Sequence, residues 1–258
     1  MKITVIGGTG LIGSQLVATL RDAGHDVVPA SLSSGVDLLT GTGLAEALHG
    51  AETVVNVTNS PTFDEHSLDF FRTTVSGLLR AGEEAGVRHQ VALSIVGVDQ
   101  VPDLDYYRAK VLQEDLLRDG PTPYSIVRAT QFFEFMDAVL SWTAVDGVVR
   151  LPATPLRPIA SSDVVRALAD VATAAPLDGT LDVTGPDVLA LDEIGRITLA
   201  ARDDGRRVVT DDGAGMFATV RGDVLVGGPD ARRGPTHYRD WLNATRAGEP
   251  AQGLPGQA

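Results

Sequence analysis

The sequence predicts an α/β protein, a doubly wound parallel sheet followed by a smaller α+β lobe. Short continuous apolar runs alternate with segments of helical periodicity through the first 130 residues. This alternation is typical of a parallel sheet covered by helices on both faces. Beyond residue 130 the predicted elements are shorter and less regular. We therefore expect a core at 1–130, a substrate-side lobe at 131–245 interleaved with the last core elements, and a flexible Gly- and Pro-rich tail at 246–258.

The core elements follow from the spacing of apolar residues. Five short apolar runs predict strands at 2–6, 26–30, 52–58, 89–97 and 123–129. Apolar residues at helical spacing predict helices at 11–22, 43–50, 66–86 and 104–119. The last of these helices ends at Gly120-Pro121, as helices commonly do. In the lobe we expect helices at 131–142, 161–174 and 191–205, and a strand at 180–186.

Composition excludes several classes of function. The 258 residues carry a formal net charge of −13 and no cluster of Lys and Arg, so a nucleic-acid partner is not expected. Cysteine is absent and the 5 histidines are scattered, so no metal site is predicted. The N-terminus does not resemble a signal peptide, and no apolar stretch reaches 18 residues. We expect a cytoplasmic protein without a membrane segment.

A glycine-rich segment, GGTGLIG at 7–13, connects the first predicted strand to the first predicted helix. It matches G-x-G-x-x-G in the context that this motif requires. Its glycines permit a tight turn, let backbone N–H groups approach a pyrophosphate, and let the helix pack on the strand. A tight turn without a ligand is the alternative. The motif predicts a dinucleotide cofactor held by Gly7, Thr9, Gly10, Leu11, Ile12 and Gly13.

The end of the second strand bears on which dinucleotide is bound. An acidic residue there would hold the ribose 2′-OH of NAD, whereas an Arg would favour the 2′-phosphate of NADP. Ser31 occupies the place of the acid, and no Lys or Arg occurs between Arg21 and Arg72. Serine hydroxyls there can donate to a 2′-phosphate, which favours NADPH, although a polar turn explains them equally well. The further candidates for cofactor binding are Ser31, Ser33, Ser34, Asp37 for the adenine amine, and Val57 and Thr58 after the third strand.

A tyrosine and a lysine, Tyr106 and Lys110, lie four residues apart in the segment DYYRAK. On a helix they share one face. A nearby ammonium lowers the pKa of a phenol, and such a tyrosine can protonate a carbonyl oxygen while hydride reaches the carbon. Lys110 is also a candidate for bonding the nicotinamide ribose. By itself, this spacing is common in helices that have no catalytic role.

Together, GGTGLIG, a strand ending in ALS, YYRAK and YSIVRATQFFEF resemble the short-chain dehydrogenase/reductase superfamily. The resemblance is closer to its atypical, NmrA-like branch, which includes quinone and triphenylmethane-dye reductases and redox-sensing regulators. It covers about residues 1–245. It implies a Rossmann core with a small substrate lobe, a catalytic pair at Tyr106 and Lys110, and Ser94 as the residue that holds the carbonyl.

The same resemblance implies that the segment after the fifth strand lines the nicotinamide and the substrate. Gln131 is then placed to contact the carboxamide, and an apolar wall suited to a flat substrate is formed by Phe132, Phe133 and Phe135. A hydrophobic helix face is the alternative for these aromatics.

We therefore expect an NAD(P)H-dependent reductase that passes hydride to a small apolar or aromatic carbonyl, quinone or enone substrate. The alternatives are a non-catalytic NAD(P) sensor that binds a protein partner, and an epimerase or isomerase that retains its cofactor. A homodimer formed through the helices at 66–86 and 104–119 is a further expectation.

Overall fold

The computed structural model describes residues 1–246, which contain twelve strands and eight helices. The strands are β1 Lys2–Ile6, β2 Asp26–Ala30, β3 Thr53–Asn56, β4 His89–Ile95, β5 Tyr124–Ala129, β6 Ala144–Val145, β7 Val148–Leu151, β8 Pro155–Leu156, β9 Gly179–Thr184, β10 Leu189–Ala190, β11 Arg207–Thr210 and β12 Arg232–Arg233. The helices are α1 Leu11–Asp22, α2 Leu44–Leu48, α3 His66–Glu84, α4 Asp105–Arg118, α5 Met136–Trp142, α6 Ser161–Thr173, α7 Leu191–Ala201 and α8 Tyr238–Arg246.

Seven strands form one parallel sheet in the order β12-β9-β5-β4-β3-β1-β2, flanked by helices. β1 pairs with β2 on one side and with β3 on the other, in parallel register. In this order β1 is the second strand from the β2 edge, and the strand order reverses between β1 and β3. This is the topology of a Rossmann-like fold, so the predicted fold class is confirmed.

The chain divides into two compact units. The first unit consists of Met1–Arg128 and Val164–Leu181. Its strands are almost entirely buried: β3 has no exposed residue, and in β1 only Lys2 reaches the surface. Parallel strands covered on both faces have this apolar composition, which is why the five core strands were recognisable as continuous apolar runs. In this unit α3 packs against α4.

The second unit comprises Ala129–Asp163 and the chain from Asp182 onward. It contains a three-stranded sheet in which β7 pairs antiparallel with β6 and parallel with β11, and a two-stranded antiparallel pair of β8 and β10. Strands of two to four residues carry too few side chains to show a period, and none of these five was predicted. The predicted tail, 246–258, lies outside the described residues apart from Arg246.

The predicted helix at 131–142 is wrong in its first five residues. Gln131 and Phe132 are extended: Phe132 forms a bridge with Ile159, and the Ile159 N–H donates to the Gln131 carbonyl at 2.9 Å. A single turn of 3₁₀ helix follows at Phe133–Phe135, and α5 begins only at Met136. The apolar spacing was correct for α5, but backbone pairing determines the conformation of the residues before it.

Candidate active site

The glycine-rich turn between β1 and α1 is built on backbone contacts that leave no space for side chains. A Cβ on Gly13 would lie 2.1 Å from the carbonyl oxygen of Gly7, and one on Gly8 would lie 2.8 Å from Val5 O. Gly7 has a φ of +82°, a conformation that residues with a Cβ rarely adopt. These glycines therefore allow α1 to begin directly above the end of β1.

The N-terminus of α1 has features of an anion-binding site. Gly10 precedes the helix without a side-chain cap, and the first turn contains no acidic residue. The N–H groups of that first turn, including those of Leu11 and Ile12, have no partners within the helix and carry its positive end. The Nδ2 group of Asn56, buried at the end of the adjacent β3, has no hydrogen-bond partner among the described residues. A dinucleotide pyrophosphate fits this arrangement of donors.

Four hydroxyls gather where the glycine turn meets the end of β2. Ser33 Oγ donates to Thr9 Oγ1 at 3.3 Å and lies 2.9 Å from Ser31 Oγ. Ser31 caps the 3₁₀ turn Leu32–Ser34, with Ser34 Oγ accepting from its N–H at 2.8 Å. The structure therefore brings the predicted residues Thr9, Ser31, Ser33 and Ser34 together in one exposed cluster.

Two other groups of predicted cofactor residues have structural partners of their own. The Asp37 carboxylate accepts from Leu39 N–H at 2.9 Å and from Thr40 Oγ1 at 3.0 Å, and these bonds hold its pKa below the usual range. Val57 and Thr58 support the glycine turn, because a Cβ on Gly7 would lie 3.1 Å from Thr58 N and 3.2 Å from Val57 O. The contact of Asp37 with adenine stays a prediction.

The half-buried phenol of Tyr106 has a polar partner that the sequence analysis did not name. Its hydroxyl donates to Asn59 Oδ1 at 2.5 Å, and the edge of Phe63 meets its ring with centroids 4.9 Å apart. Burial, and then the neighbouring Tyr107, raise the pKa of Tyr106 above its ordinary value. The expectation that Lys110 lowers this pKa is therefore corrected. The phenol is protonated at neutral pH, as a proton donor must be, and its raised pKa makes it a weaker acid than a solvent-exposed tyrosine.

Lys110 is buried one turn further along α4, and its ammonium is held by groups other than Tyr106. Nζ donates to the Leu93 carbonyl at 2.7 Å and to the Gln113 side chain, and it lies 4.9 Å from the centroid of the Phe71 ring. Burial lowers the pKa of Lys110 to about 7, although the Glu114 carboxylate opposes this shift. Phe71 also lies near Tyr106, with ring centroids 6.4 Å apart. Tyr106 and Lys110 thus both contact the Phe71 ring and do not form a hydrogen bond with each other.

Ser94 lies beside a buried charge network. Its hydroxyl is close enough to the Glu114 carboxylate to help lower that group's pKa, but it is outside hydrogen-bond geometry. Glu114 is fully buried and accepts from Arg128 at 2.6 and 2.8 Å and from Arg118 at 2.6 Å. Because Glu114 follows Tyr106 by eight residues, it lies about 12 Å further along α4. The Ser94 hydroxyl therefore lies beside this network, and its predicted contact with the substrate carbonyl stays a prediction.

The aromatic segment of the second unit differs from the expected substrate wall. Phe133 is 1% exposed and packs its ring on Tyr238 and Trp241, with centroids 4.9 and 5.5 Å away. Phe133 is thus a core residue, which corrects its predicted contact with substrate. Phe135 packs on the half-exposed Trp142. Gln131 is buried, and Phe132 is partly exposed; their predicted contacts with nicotinamide and substrate stay predictions.

Sequence reasoning missed several residues that surround the candidate site, namely Asn59, Phe63, Phe71 and Gln113. The segment NVTNSP at the end of the third strand was the one available signal, since loops at that edge face the cofactor in such sheets. Within residues 1–246, no group of three or more His, Asp or Glu side chains is arranged to hold a metal ion. No helix in that range is long and apolar enough to cross a bilayer.

Comparisons with known proteins indicate the class of cofactor. A family model described as NAD(P)H-binding matches residues 7–174. A mouse sterol-4-alpha-carboxylate 3-dehydrogenase (decarboxylating) is 28% identical over 151 residues, covering 47% of this chain and 42% of that protein. The chain thus spans less than half the length of the curated relatives that it matches.

Solved structures share the fold at low identity. An NADPH-dependent quinone oxidoreductase from Escherichia coli, in complex with NADPH, is 16% identical with a TM-score of 0.69, covering 95% of this chain and 99% of that chain. A UDP-N-acetylglucosamine 4-epimerase from Bacillus cereus is 16% identical with a TM-score of 0.68, covering 96% and 100%. Identities this low establish a shared fold.

Replacing Gly13 by Ala is expected to abolish cofactor binding. The added Cβ meets the Gly7 carbonyl at 2.1 Å, so the turn must open and withdraw its N–H groups. We expect a destabilisation of about 1–3 kcal/mol, as for other overpacked sites. Fluorescence titration with NADPH measures the loss of binding, and unfolding in urea measures the loss of stability. Gly77→Ala on α3 is the control, because its Cβ has space and alanine favours a helix. Unchanged NADPH affinity in Gly13→Ala would contradict this assignment.

Lys110 is expected to titrate near pH 7. The chain has two lysines, Lys2 and Lys110, so protein labelled with ¹³Cε-lysine gives two side-chain signals, and a Lys2→Arg variant assigns them. One signal should shift with a midpoint of about 7. Since the folded-state pKa lies below that of the unfolded chain, folding releases a proton between these values, and this contribution to stability rises with pH above 7. A Lys110 midpoint near 10 would show that its ammonium is solvated.

Proposed function

Because this chain belongs to the NAD(P)H-binding family, we propose that it is an NAD(P)H-dependent reductase acting on a small carbonyl, quinone or enone substrate, with Tyr106 as proton donor. The observation that carries the proposal is the hydrogen bond of the Tyr106 phenol. Among the described residues its hydroxyl bonds to one exposed amide, that of Asn59, and it lies in the same unit as the glycine turn. A reductase needs a proton for the oxygen of its substrate, and this phenol can supply one.

The residues of the first unit have separate roles in the proposed reaction. The N–H groups at the start of α1 bind the pyrophosphate, with Gly7 and Gly13 allowing its close approach. A bound reduced nicotinamide supplies hydride. Tyr106 donates its proton to the substrate oxygen, and water later restores that proton. Lys110 bonds to the Leu93 carbonyl and the Gln113 side chain and lies over the Phe71 ring, so its role is to hold α4 against β4.

We further propose a preference for NADPH. Thr9 and Ser33 present hydroxyls beside Ser31, where an acidic residue would bind the ribose diol of NADH and repel a 2′-phosphate. The mutual hydrogen bonds of these hydroxyls can be exchanged for bonds to phosphate oxygens, which are stronger because the acceptor is charged.

Ser31→Asp is expected to weaken NADPH binding by about tenfold or more, equivalent to about 1.4 kcal/mol. The new carboxylate lies at the end of β2 and repels the 2′-phosphate, whereas NADH gains an acceptor for its ribose hydroxyls. Side-by-side fluorescence titrations of both cofactors measure this change, and the NADH affinity of the same variant is the internal control. Equal weakening of both cofactors would contradict a role for Ser31 in discrimination.

Tyr106→Phe is expected to lower kcat about 100-fold or more with quinone, enone and ketone substrates, the usual contribution of a general acid. NADPH affinity should be unchanged, because the phenol is assigned to the substrate. Tyr124→Phe, on β5 in the same unit, is the matched control. Hydride transfer at the wild-type rate in Tyr106→Phe would show that Tyr106 is not the proton donor. Conversion of substrate without net consumption of NADPH would contradict the reductase proposal and favour an isomerase.

A further inference from the structure

The loop between β3 and α3 holds Tyr106 at two points. Asn59 Oδ1 accepts the phenol proton at 2.5 Å, and Phe63 packs edge-on against the ring with an interplanar angle of 70°. We propose that Asn59 is a positioning residue that serves both protonation states of Tyr106, accepting from the phenol through Oδ1 and donating to the phenolate through Nδ2. This inference rests on the proposed role of Tyr106 as proton donor.

The loop is rigid enough to place an amide accurately. On one side of Asn59, Asn56 Oδ1 accepts from the N–H and the hydroxyl of Thr58, at 3.0 and 2.7 Å. On the other side, Ser60 Oγ accepts from Thr62 N–H at 3.3 Å, and Ser67 Oγ donates to the Thr62 carbonyl at 2.7 Å. These bonds tie the loop to the end of β3, to itself and to α3. Asn59 therefore lies between two segments that are held by hydrogen bonds, although its own side chain is exposed.

An amide suits this position because its two ends have opposite hydrogen-bonding character. The carbonyl oxygen accepts and the NH₂ group donates, and rotation about the Cβ–Cγ bond exchanges them at nearly the same place. A phenol needs an acceptor for its proton, whereas a phenolate needs a donor. Among the described residues, Asn59 is the only hydrogen-bond partner of the Tyr106 hydroxyl. The N–H groups of Lys110 bond instead to Leu93 and Gln113.

The hydrogen bond between Tyr106 and Asn59 must change partners during the proposed reaction. A phenol has one proton to donate, so the oxygen of a substrate must replace Asn59 Oδ1 as the acceptor of the Tyr106 hydrogen bond. When hydride adds to the carbonyl carbon, the C=O π electrons move to oxygen, and that oxygen takes the proton from Tyr106. The tyrosine is left as a phenolate, which can then accept from Asn59 Nδ2. Because Asn59 is exposed, water reaches this position and returns a proton to the phenolate.

A purely structural contact makes a different prediction about the phenol. If Asn59 only accepted a hydrogen bond, it would stabilise the neutral phenol, and its removal would lower the pKa of Tyr106. If it also donates to the phenolate, its removal should raise this pKa, because hydrogen bonds to a charged group are stronger than those to a neutral one. The sign of the shift in Asn59→Leu therefore separates the two roles.

The test uses the full chain labelled with fluorinated tyrosine, whose more acidic phenol brings the titration into a range where the protein stays folded. The chain has four tyrosines, so ¹⁹F spectra contain four signals, and Tyr106→Phe identifies the one from Tyr106. Asn59→Leu removes both functions of the amide. Asn59→Asp keeps the acceptor and adds a negative charge. The same substitutions at Asn243, an exposed residue of α8, are the matched controls.

We expect the pKa of Tyr106 to rise in Asn59→Leu and to rise further, by at least one unit, in Asn59→Asp, where a carboxylate opposes the phenolate. In unlabelled protein, kcat with a quinone or enone should fall at least tenfold in both variants. Far-UV circular dichroism and urea unfolding should match the wild type, which reports that both variants fold. Substitutions at Asn243 should change none of these quantities.

Two results would overturn the inference: a lower Tyr106 pKa in Asn59→Leu, or wild-type kcat and pKa in both Asn59 variants. The failure of the proposed function is recognised separately. If Tyr106→Phe reduces substrates at the wild-type rate, Tyr106 is not the acid, whatever the ¹⁹F titrations of the Asn59 variants show.

Discussion

The contact between Gly7 and Gly13 is the constraint on which the rest of the first unit depends. Here one turn of backbone lies directly on another, with no room for a single methyl group. This contact lets α1 start at the end of β1, beside the point between β1 and β3 where the strand order reverses. The uncapped N–H groups of α1 then point outward from the sheet edge. The proposed dinucleotide site at this place depends on this close backbone packing.

Helix α4 carries the two residues of the proposed chemistry, and burial shifts the pKa of each. Its first turns present Tyr106 and Lys110, while its later turns carry the buried carboxylate of Glu114, neutralised by Arg118 and Arg128. A buried carboxylate that is bonded by two guanidinium groups is costly to disturb, so it fixes the position of α4 relative to β4 and β5. Burial shifts the pKa values of the tyrosine and the lysine in opposite directions. The pKa of Tyr106 rises and that of Lys110 falls, because burial removes water from the charged form of each side chain.

The sequence pattern predicted the core well, since a parallel sheet leaves a strong signal. The α1 boundaries at residues 11 and 22 and the β1 and β2 boundaries agree with the structure. The second unit left a weaker signal. Phe133, read as part of a substrate wall, belongs to a core with Tyr238 and Trp241. Those partners lie more than 100 residues away in the chain, and local spacing contains no information about such a contact.

The sequence by itself determined the glycine turn, the alternation of strands and helices, and the presence of Tyr106 and Lys110 on one helix, because each depends on neighbours within a few residues. Only the tertiary structure decided which groups these side chains meet. Tyr106 meets Asn59, Lys110 meets Leu93 and Gln113, and Ser94 lies at Glu114. The physical reason is that hydrogen-bond partners and burial are set by packing between α4, β4 and the loop after β3, which are separated in the chain and adjacent in space.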